Sequence, residues 1–327
     1  MDIVIACMLS RNMTSINREC MIEQLIMIET SIQRFCPTAR LFLYTNHCEY
    51  IGDMHKKNRL GSANTIVLRE PAGETSARIM NNCTNQYTFA KLDAIRAVRN
   101  SKYWEGQSLI ISDIDAIFTT NMLEHNEKDK SEALNYYDEH DHNDECFRQA
   151  LELIGGERMQ PGKASQRMSR ISSGFMYIEK EFCEYILENE RYLCKKMKEN
   201  EQSIKELAGH FGDELIFTVL YRAFDTNQIY HGKENSKALI YWTCYIRSRK
   251  WLLLPNYKRI CHLHLPAIKW QHRSRSIVIW LLRSNIVGNK QTWALIWLYL
   301  CMLTIYMQFS STLRTKLATM VKKAWNK

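Results

Sequence analysis

The sequence has no Cys-x-x-Cys pair, although 11 cysteines are scattered over its 327 residues. This pattern indicates a reducing compartment and argues against a disulfide framework or a structural zinc site. A basic segment followed by an apolar one is also missing at the start, because the apolar run Ile3–Ala6 comes at once. We therefore expect no signal peptide and no N-terminal anchor. Internal repeats and low-complexity tracts are absent as well.

Acidic residues are absent from residues 271–327, which hold nine of the 44 lysines and arginines. The other 35 basic residues balance the 35 acidic ones, so the net charge of +9 belongs to this tail. Residues 291–313 are uncharged and rich in tryptophan, tyrosine and leucine. Their length would permit a spanning helix. The basic flanks, the dispersed aromatic residues and the amphipathic segment 277–287 instead favour helices lying in an anionic membrane interface.

Two other interpretations of the tail stay open, a membrane-spanning helix and an ordinary buried helix pair. Nucleic acid is not an expected partner, because such a long uncharged stretch would not follow a line of phosphates. We divide the chain into a domain of residues 1–270 and a membrane-binding region of residues 271–327.

The first 120 residues alternate apolar runs with helical patterns, which predicts βαβ units in an α/β fold with a mainly parallel sheet. The 46% hydrophobic content is ample for a core. We expect a further buried strand at Ser172–Ile178, one or two helices over Lys180–Leu207 and a helix that begins near Gly212. The polar and acidic segment Glu124–Glu157 is predicted to be a solvated insertion. Predicted strands of the first 120 residues are Ile3–Met8, Arg40–Thr45, Thr65–Leu68 and Ser108–Ile111, and the helices are Ile16–Phe35 and Tyr87–Arg99.

Asp113 and Asp115 stand one residue apart at the end of the apolar run that begins at Leu109. In an extended segment residues i and i+2 point to the same side, so both carboxylates could bind one divalent cation. We expect the strand to continue into an exit loop from Phe118 onward, at the edge where open α/β sheets bind ligands. A cation held there could bind a diphosphate.

The strand ending in Asp113-Ile114-Asp115 is followed in order by Ser173–Ile178, the helix start at Gly212-Asp213-Glu214 and the segment His262–Trp270. In this order the segments resemble the GT-A glycosyltransferases, nucleotide-sugar transferases with a D-x-D motif and a metal. The resemblance covers residues 1–270 and is to enzymes of the bacterial surface-polysaccharide type, and more distantly to the glycogenin-like and lipo-oligosaccharide galactosyltransferase-like families. It implies a Rossmann-like, mainly parallel central sheet with flanking helices.

The resemblance implies that Asp113 and Asp115 hold Mn²⁺ or Mg²⁺ against the diphosphate of a nucleotide sugar, with a UDP-sugar as the expected donor. A histidine after the last core strand would complete the metal site, and we favour His264 over His262. Lys269 would face the diphosphate. The segment departs from the family pattern, because it has no glycine after the histidine and no proline between Lys269 and Trp270.

On the donor side, Lys91 is placed where such enzymes carry a basic residue over the donor sugar or phosphate, and an exposed helix lysine is the alternative. Asp93 could accept hydrogen bonds from donor hydroxyls. Strand-end position suggests that Ala6, Cys7 and Thr45 border the base.

Asp213 and Glu214 are the candidate catalytic acids, because an inverting transferase needs a carboxylate base and a retaining one a polar group near the anomeric carbon. Acidic residues that complement a helix dipole are the alternative. Ser173 and Gly174 would form the floor on the acceptor side, where glycine allows close approach.

The sequence thus predicts a metal-dependent hexosyltransferase that acts on a lipid-linked glycan, such as a lipopolysaccharide or O-antigen intermediate, from the cytoplasmic face of the plasma membrane. Two alternatives stay open. One is a transferase that acts on a protein or a soluble oligosaccharide, and the other is a non-catalytic, nucleotide-binding membrane adaptor.

Overall fold

A computed structural model describes most of the chain. The described residues are 2–10, 13–58, 64–81, 86–118, 135–137, 145–159, 171–208, 212–224, 240–242, 262–265, 272–284 and 288–303.

A six-stranded sheet in the order β3-β2-β1-β4-β7-β6 forms the centre of the described fold. Strands β1 to β4 run parallel, and β7 is antiparallel to both of its neighbours. The mainly parallel α/β sheet predicted from the sequence is therefore confirmed. The strands are β1 (Asp2–Cys7), β2 (Arg40–Thr45), β3 (Thr65–Arg69), β4 (Leu109–Ser112), β6 (Asn135–Tyr137) and β7 (Ile171–Ile178).

Both faces of this sheet are covered. Ile3 and Ile5 of β1 belong to one hydrophobic cluster, whereas Val4 between them belongs to a second cluster on the other face. A strand that is buried on both faces needs a continuous apolar run, which is what β1 provides. The helices are α1 (Ser15–Phe35), α2 (Cys48–Asn58), α3 (Ser76–Ile79), α4 (Ala90–Arg99), α5 (Glu145–Gly155), α6 (Lys180–Glu199), α7 (Glu201–Ala208), α8 (Asp213–Ala223) and α9 (His272–Arg283).

Local signals explain where several elements begin and end. The Thr14 side chain accepts a hydrogen bond from the Asn17 backbone N–H and caps α1, which ends just before Cys36-Pro37. The pattern predicted as one helix from Tyr87 to Arg99 is a 3₁₀ turn, Gln86–Phe89, that leads into α4.

A second sheet, in the order β5-β9-β8, stands beside the first. Its strands are β5 (Ala116–Phe118), β9 (His262–His264) and β8 (Ile240–Trp242). The prediction of an exit loop from Phe118 onward is wrong at Phe118 itself, because β5 pairs antiparallel with β9 at this residue. Thr119 and the residues after it up to 134 lie outside the described part.

The segment predicted as a solvated insertion is folded at its C-terminal end. Helix α5 buries Ala150, Leu151 and Ile154 in the second hydrophobic cluster, and residues 135–137 add β6 to the sheet edge. The apolar side of α5 is spaced at i, i+1 and i+4 among many charges, so composition alone concealed it. The acidic centre at 138–144 lies outside the described residues.

The tail also packs on the body of the protein. Helix α9 and the helical residues 289–303 bury Val278, Leu281, Trp293 and Ile296 in the cluster that contains α1. No helix in the described residues is long and apolar enough to cross a membrane. Residues 304–327 lie outside the described part.

Candidate active site

The two aspartates of the D-x-D motif lie in a bend that joins the two sheets. The Asp113 N–H donates to the Gly174 carbonyl, which extends the ladder between β4 and β7. The Asp115 carbonyl accepts from the Leu265 N–H, which extends the ladder between β5 and β9. The Asp113 side chain is 27% exposed, whereas Asp115 is only 3% exposed. The sequence thus placed the motif correctly at a strand end, although the bend replaces the extended geometry that we assumed.

Lys91 is the centre of a polar cluster beside this bend. Its Nζ lies 2.6 Å from Oδ1 of Asp113 and 3.0 Å from Oδ2 of Asp213. It also donates to the Ser173 carbonyl at 2.9 Å and to the Ser173 hydroxyl at 3.0 Å. Helix α4, the end of β4, strand β7 and the start of α8 therefore each supply one member. These four residues, singled out separately in the sequence, form one group, which we call the Lys91 cluster.

Burial and charge act in opposite directions on the titration of this cluster. Burial alone would lower the pKa of Lys91, but the carboxylates of Asp113 and Asp213 outweigh it and raise the pKa above its usual value. Burial raises the pKa of Asp213, although Lys91 and the Ser173 hydroxyl both favour its charged form. Lys91 therefore stays a fixed cation at neutral pH. The exposed helix lysine considered as the alternative is wrong, since the Lys91 side chain is only 8% exposed.

Glu214 follows Asp213 at the start of α8 and is only partly buried. Its backbone carbonyl accepts a hydrogen bond from the Thr218 hydroxyl within the helix. Gly212 precedes both acids in an extended conformation, and a methyl group added to it would come within 3.8 Å of the Thr88 hydroxyl. The start of α8 thus lies close to the 3₁₀ turn that leads to Lys91.

His262 is completely buried between aromatic rings. Its ring centroid lies 4.2 Å from that of Phe175 and 5.1 Å from that of Phe118. Its Nε2 lies 3.0 Å from the Ser112 hydroxyl, one residue before Asp113. The register of β9 places residue 264 opposite Ala116, the residue that follows Asp115. The side chain of His264 and the whole of Lys269 lie outside what the structure describes.

A cavity of about 820 Å³ opens beside β1, β2 and β3 at their carboxyl ends. Asn46 lies at its wall and connects the loop after β2 to the loop after β1, since its side chain accepts from the Leu9 N–H and donates to the Leu9 carbonyl. Tyr87 of the 3₁₀ turn also lines the cavity, four residues before Lys91. The other lining residues are Ser10, His47, Arg69, Glu70, Pro71, Ala72, Arg78 and Gln86.

The predicted base-binding residues lie next to this cavity but are mainly internal. Thr45 is completely buried, and its hydroxyl accepts from the His47 N–H. Cys7 is completely buried in the core, where burial and then the charge of Glu29 raise its pKa to about 12. Ala6 is partly buried and packs against the second hydrophobic cluster.

Asp93 is engaged by backbone groups. Its two carboxylate oxygens accept from the N–H groups of Ser76 and Ala77 at 2.6 and 3.0 Å, which fixes the start of α3. Burial raises the pKa of Asp93, and these N–H groups offset part of that rise. Asp93 therefore positions the segment after Ala72 at the cavity wall.

The carboxylates of Asp113 and Asp115 fit a hard divalent cation. Magnesium in nucleotide sites is held by one or two carboxylates, with substrate phosphates and water as the remaining ligands. The described residues contain no group of three or more histidine, cysteine or acidic side chains placed to hold a metal. A cation here would thus take its remaining ligands from substrate phosphate and water, or from the part of the chain beyond the described residues.

Sequence reasoning missed the cationic wall of the cavity, formed by Arg69 and Arg78. Arg69 ends β3, and strand-end position was the signal that could have found it. Arg78 lies 3.3 Å from Glu70 and belongs to α3, a one-turn helix that gives no periodic signal.

No protein-family model and no curated protein sequence matches the chain. Among solved structures, the galactosyltransferase LgtC in complex with donor and acceptor sugar analogs is 13% identical, with 89% of this chain and 98% of that chain covered and a TM-score of 0.48. Mouse xyloside xylosyltransferase 1 is 11% identical over 81% and 97%, with a TM-score of 0.43. Core-mannan synthase A from Aspergillus fumigatus, in a Mn/GDP form, is 10% identical over 68% and 70%, with a TM-score of 0.38. The similarity is one of fold alone.

Proposed function

We propose that the protein is a metal-dependent glycosyltransferase that uses a nucleoside diphosphate sugar. The observation that carries this proposal is the Lys91 cluster, in which Lys91, Asp113, Ser173 and Asp213 meet at the carboxyl ends of the strands. The cavity at the carboxyl ends of β1, β2 and β3, which Tyr87 lines four residues before Lys91, is of the size that small-molecule sites have. A carboxylate pair that could bind a cation, together with a fixed ammonium at the same edge of the sheet, suits a substrate with a charged diphosphate.

The donor is proposed to lie with its nucleoside in the cavity and its diphosphate toward the D-x-D bend. Asn46, His47 and Tyr87 would contact the base and ribose, and the guanidinium groups of Arg69 and Arg78 add positive charge there. The uridine nucleotide follows only from the sequence resemblance.

Asp113 and Asp115 would hold the Mn²⁺ or Mg²⁺ ion. When bound, this ion acts as a Lewis acid that stabilises the charge of the leaving nucleoside diphosphate. Lys91 is held by Asp213 and Ser173, so its charge is already in position and needs no reorganisation during the reaction. We further propose His264, by its register beside Asp115, as a third ligand and Lys269 as a diphosphate contact.

On the acceptor side, Asp213 is buried and bound to Lys91, which suits a residue that positions others. Glu214 is only partly buried, and we propose it as the carboxylate that takes the proton of the acceptor hydroxyl. Ser173 and Gly174 would bound the acceptor. A lipid-linked glycan at the cytoplasmic face of a membrane is proposed as the acceptor, supported by the composition of the tail.

Isothermal titration calorimetry of the full chain with nucleoside diphosphates, with and without Mn²⁺, tests the donor site. We expect Mn²⁺-dependent binding, and transfer or donor hydrolysis with at least one nucleotide sugar.

Asp115→Asn should reduce turnover by about 10²–10³-fold. Asp53→Asn is the matched control, because Asp53 is exposed and faces Lys56 at 4.0 Å.

Nucleotide binding without any dependence on Mn²⁺ would contradict the metal role. Binding without transfer or hydrolysis across a full set of nucleotide sugars would instead support the non-catalytic membrane adaptor.

His264→Ala should weaken Mn²⁺ binding at unchanged stability, whereas His262→Ala should mainly destabilise the aromatic core around Phe118 and Phe175.

A further inference from the structure

The last two described helices expose apolar side chains toward solvent. Residues 289–303 bury Trp293, Ile296, Trp297 and Leu300 against the core, as an amphipathic helix should. The opposite side of the helix is apolar too. Leu295, Leu298 and Met302 are 42%, 55% and 54% exposed and follow one another at helical spacing.

Helix α9 continues this character. Val278, Leu281 and Leu282 face the core, while Ile277 and Trp280 are 39% and 61% exposed. Arg273 and Arg283 lie on the same exposed side, about one turn from these two residues. We call the following set the tail surface: Ile277, Trp280, Leu295, Leu298 and Met302 with Arg273, Arg283 and Lys290.

The tail surface is held in place by the body of the protein. The Arg34 guanidinium of α1 donates to the Leu282 carbonyl at 2.8 Å and to the Thr292 hydroxyl at 2.7 Å. Arg275 of α9 donates to Glu23 of α1 at 2.8 Å. The exposed faces of both helices are therefore preformed, and docking would not have to pay for their folding.

All charges of the tail surface are positive. Residues 271–327 contain no acidic side chain, and five further lysines and arginines follow position 303. An isologous contact between two copies would place these cations against one another with no acid to pair them. The part of the tail after residue 303 likewise carries no acid that could pair with these cations. An anionic lipid surface complements both the charge and the exposed tryptophan and leucines.

We propose that the tail surface docks on an anionic lipid bilayer, with α9 and residues 289–303 lying along the membrane plane. Trp280 and the leucines would enter the boundary between headgroups and acyl chains, while Arg273 and Lys290 contact lipid phosphates. The active site would then work at a fixed height above the bilayer.

Vesicle flotation of the full chain tests the proposal, with phosphatidylcholine alone and with phosphatidylcholine containing phosphatidylglycerol. We expect binding to the anionic vesicles that weakens at high salt. Combining Trp280→Ala with Leu298→Ala should weaken vesicle binding at least tenfold. Leu153→Ala should leave it unchanged, because Leu153 is an exposed leucine, 37% accessible, that lies on α5 outside the tail surface. Combining Arg273→Gln with Lys290→Gln should weaken it by about tenfold or more, and Lys102→Gln with Lys195→Gln serves as the matched control.

Equal binding to both kinds of vesicle, or none to either, would overturn the proposal. So would a dimer in sedimentation velocity that the double variant of Trp280 and Leu298 abolishes while vesicle binding is absent. Thermal melting of each variant verifies that it is folded. Vesicle binding needs no nucleotide sugar, so its failure would leave the proposed transfer reaction untouched.

Discussion

Lys91 connects four oxygen atoms through one ammonium group. It contacts one carboxylate oxygen each of Asp113 and Asp213, and both the carbonyl and the hydroxyl oxygens of Ser173. Lys91, Ser173 and Asp213 are buried, so their polar groups have exchanged water for contacts within the cluster, whereas Asp113 stays partly exposed. At this scale the site is a single electrostatic unit, and its members cannot be removed one at a time without cost.

Lys91→Met should therefore lower the free energy of unfolding by about 3–5 kcal/mol, because it leaves the buried Asp213 carboxylate without its cation. Urea unfolding measures the change. Lys195→Met is the control, since Lys195 pairs with Glu74 at 3.6 Å on the surface, and its loss should cost less than about 1 kcal/mol. Equal losses in the two variants would refute the view of a buried unit.

The lysine and both acids were recognisable in the sequence, but their contact was not. Lys91, Asp113 and Asp213 are separated by 22 and 100 positions, and a single sequence carries no signal for a contact at such distances. Only the position of each at the start or end of an element hinted that they share one edge. Asp93 was predicted from the sequence to bind donor hydroxyls, but its carboxylate oxygens accept hydrogen bonds from the first N–H groups of α3. The residues around Asp93 in the sequence carry no signal for this contact.

Among the elements, α3 depends most directly on one side chain. A helix of four residues leaves its first N–H groups without partners within the helix, and Asp93 accepts from two of them. The same segment carries Arg78, Ala72 and Pro71 to the cavity wall. The conformation of this wall therefore depends on α4, because Asp93 lies on that helix.

Asp93→Ala should lower the free energy of unfolding by about 1–3 kcal/mol, because two buried N–H groups lose their acceptor. Amide exchange at Ser76 and Ala77 should accelerate well before global unfolding, and nucleotide affinity should fall with it. Asp53→Ala offers the comparison, with an expected change within about 0.5 kcal/mol for an exposed acid. Unchanged exchange at both amides would contradict the dependence of α3 on Asp93.

Elements with strong periodic patterns were the ones that the sequence predicted well. Strand β2 begins and ends at the predicted residues, and α1 begins one residue early. Helices α2 and α3 were not predicted, because α2 buries only Ile51, Met54 and His55, and α3 has a single turn. Strand β5 was concealed because it has only three residues, which follow β4 after the short bend Asp113-Ile114-Asp115.

For the molecule as a whole, buried thiols give stability a defined dependence on pH. Burial raises the pKa values of Cys7, Cys36 and Cys183 from 9.0 to about 12. Between these two values the unfolded chain binds fewer protons than the folded one, so the free energy of unfolding falls as the pH rises. Each such thiol contributes a slope of up to about 1.4 kcal/mol per pH unit.

Replacement of one buried thiol should therefore flatten this decline. Urea unfolding of Cys183→Ala between pH 9 and 10.5, in the presence of a reductant, should show a shallower slope than that of Cys146→Ala. Cys146 is exposed and serves as the matched control. Parallel slopes for the two variants would show that the buried thiol does not carry the effect.

The bend at Asp113-Ile114-Asp115 gives the spacing of the two carboxylates an unusual origin. One aspartate is hydrogen-bonded to the end of the first sheet and the other to the second. Their separation is therefore set by the joint between the sheets, where Phe118, Phe175 and His262 pack together. A substitution among these rings can therefore alter the distance between the two carboxylates without contacting a substrate. Conversely, an ion bound by both carboxylates would hold the two sheets in a fixed relative position.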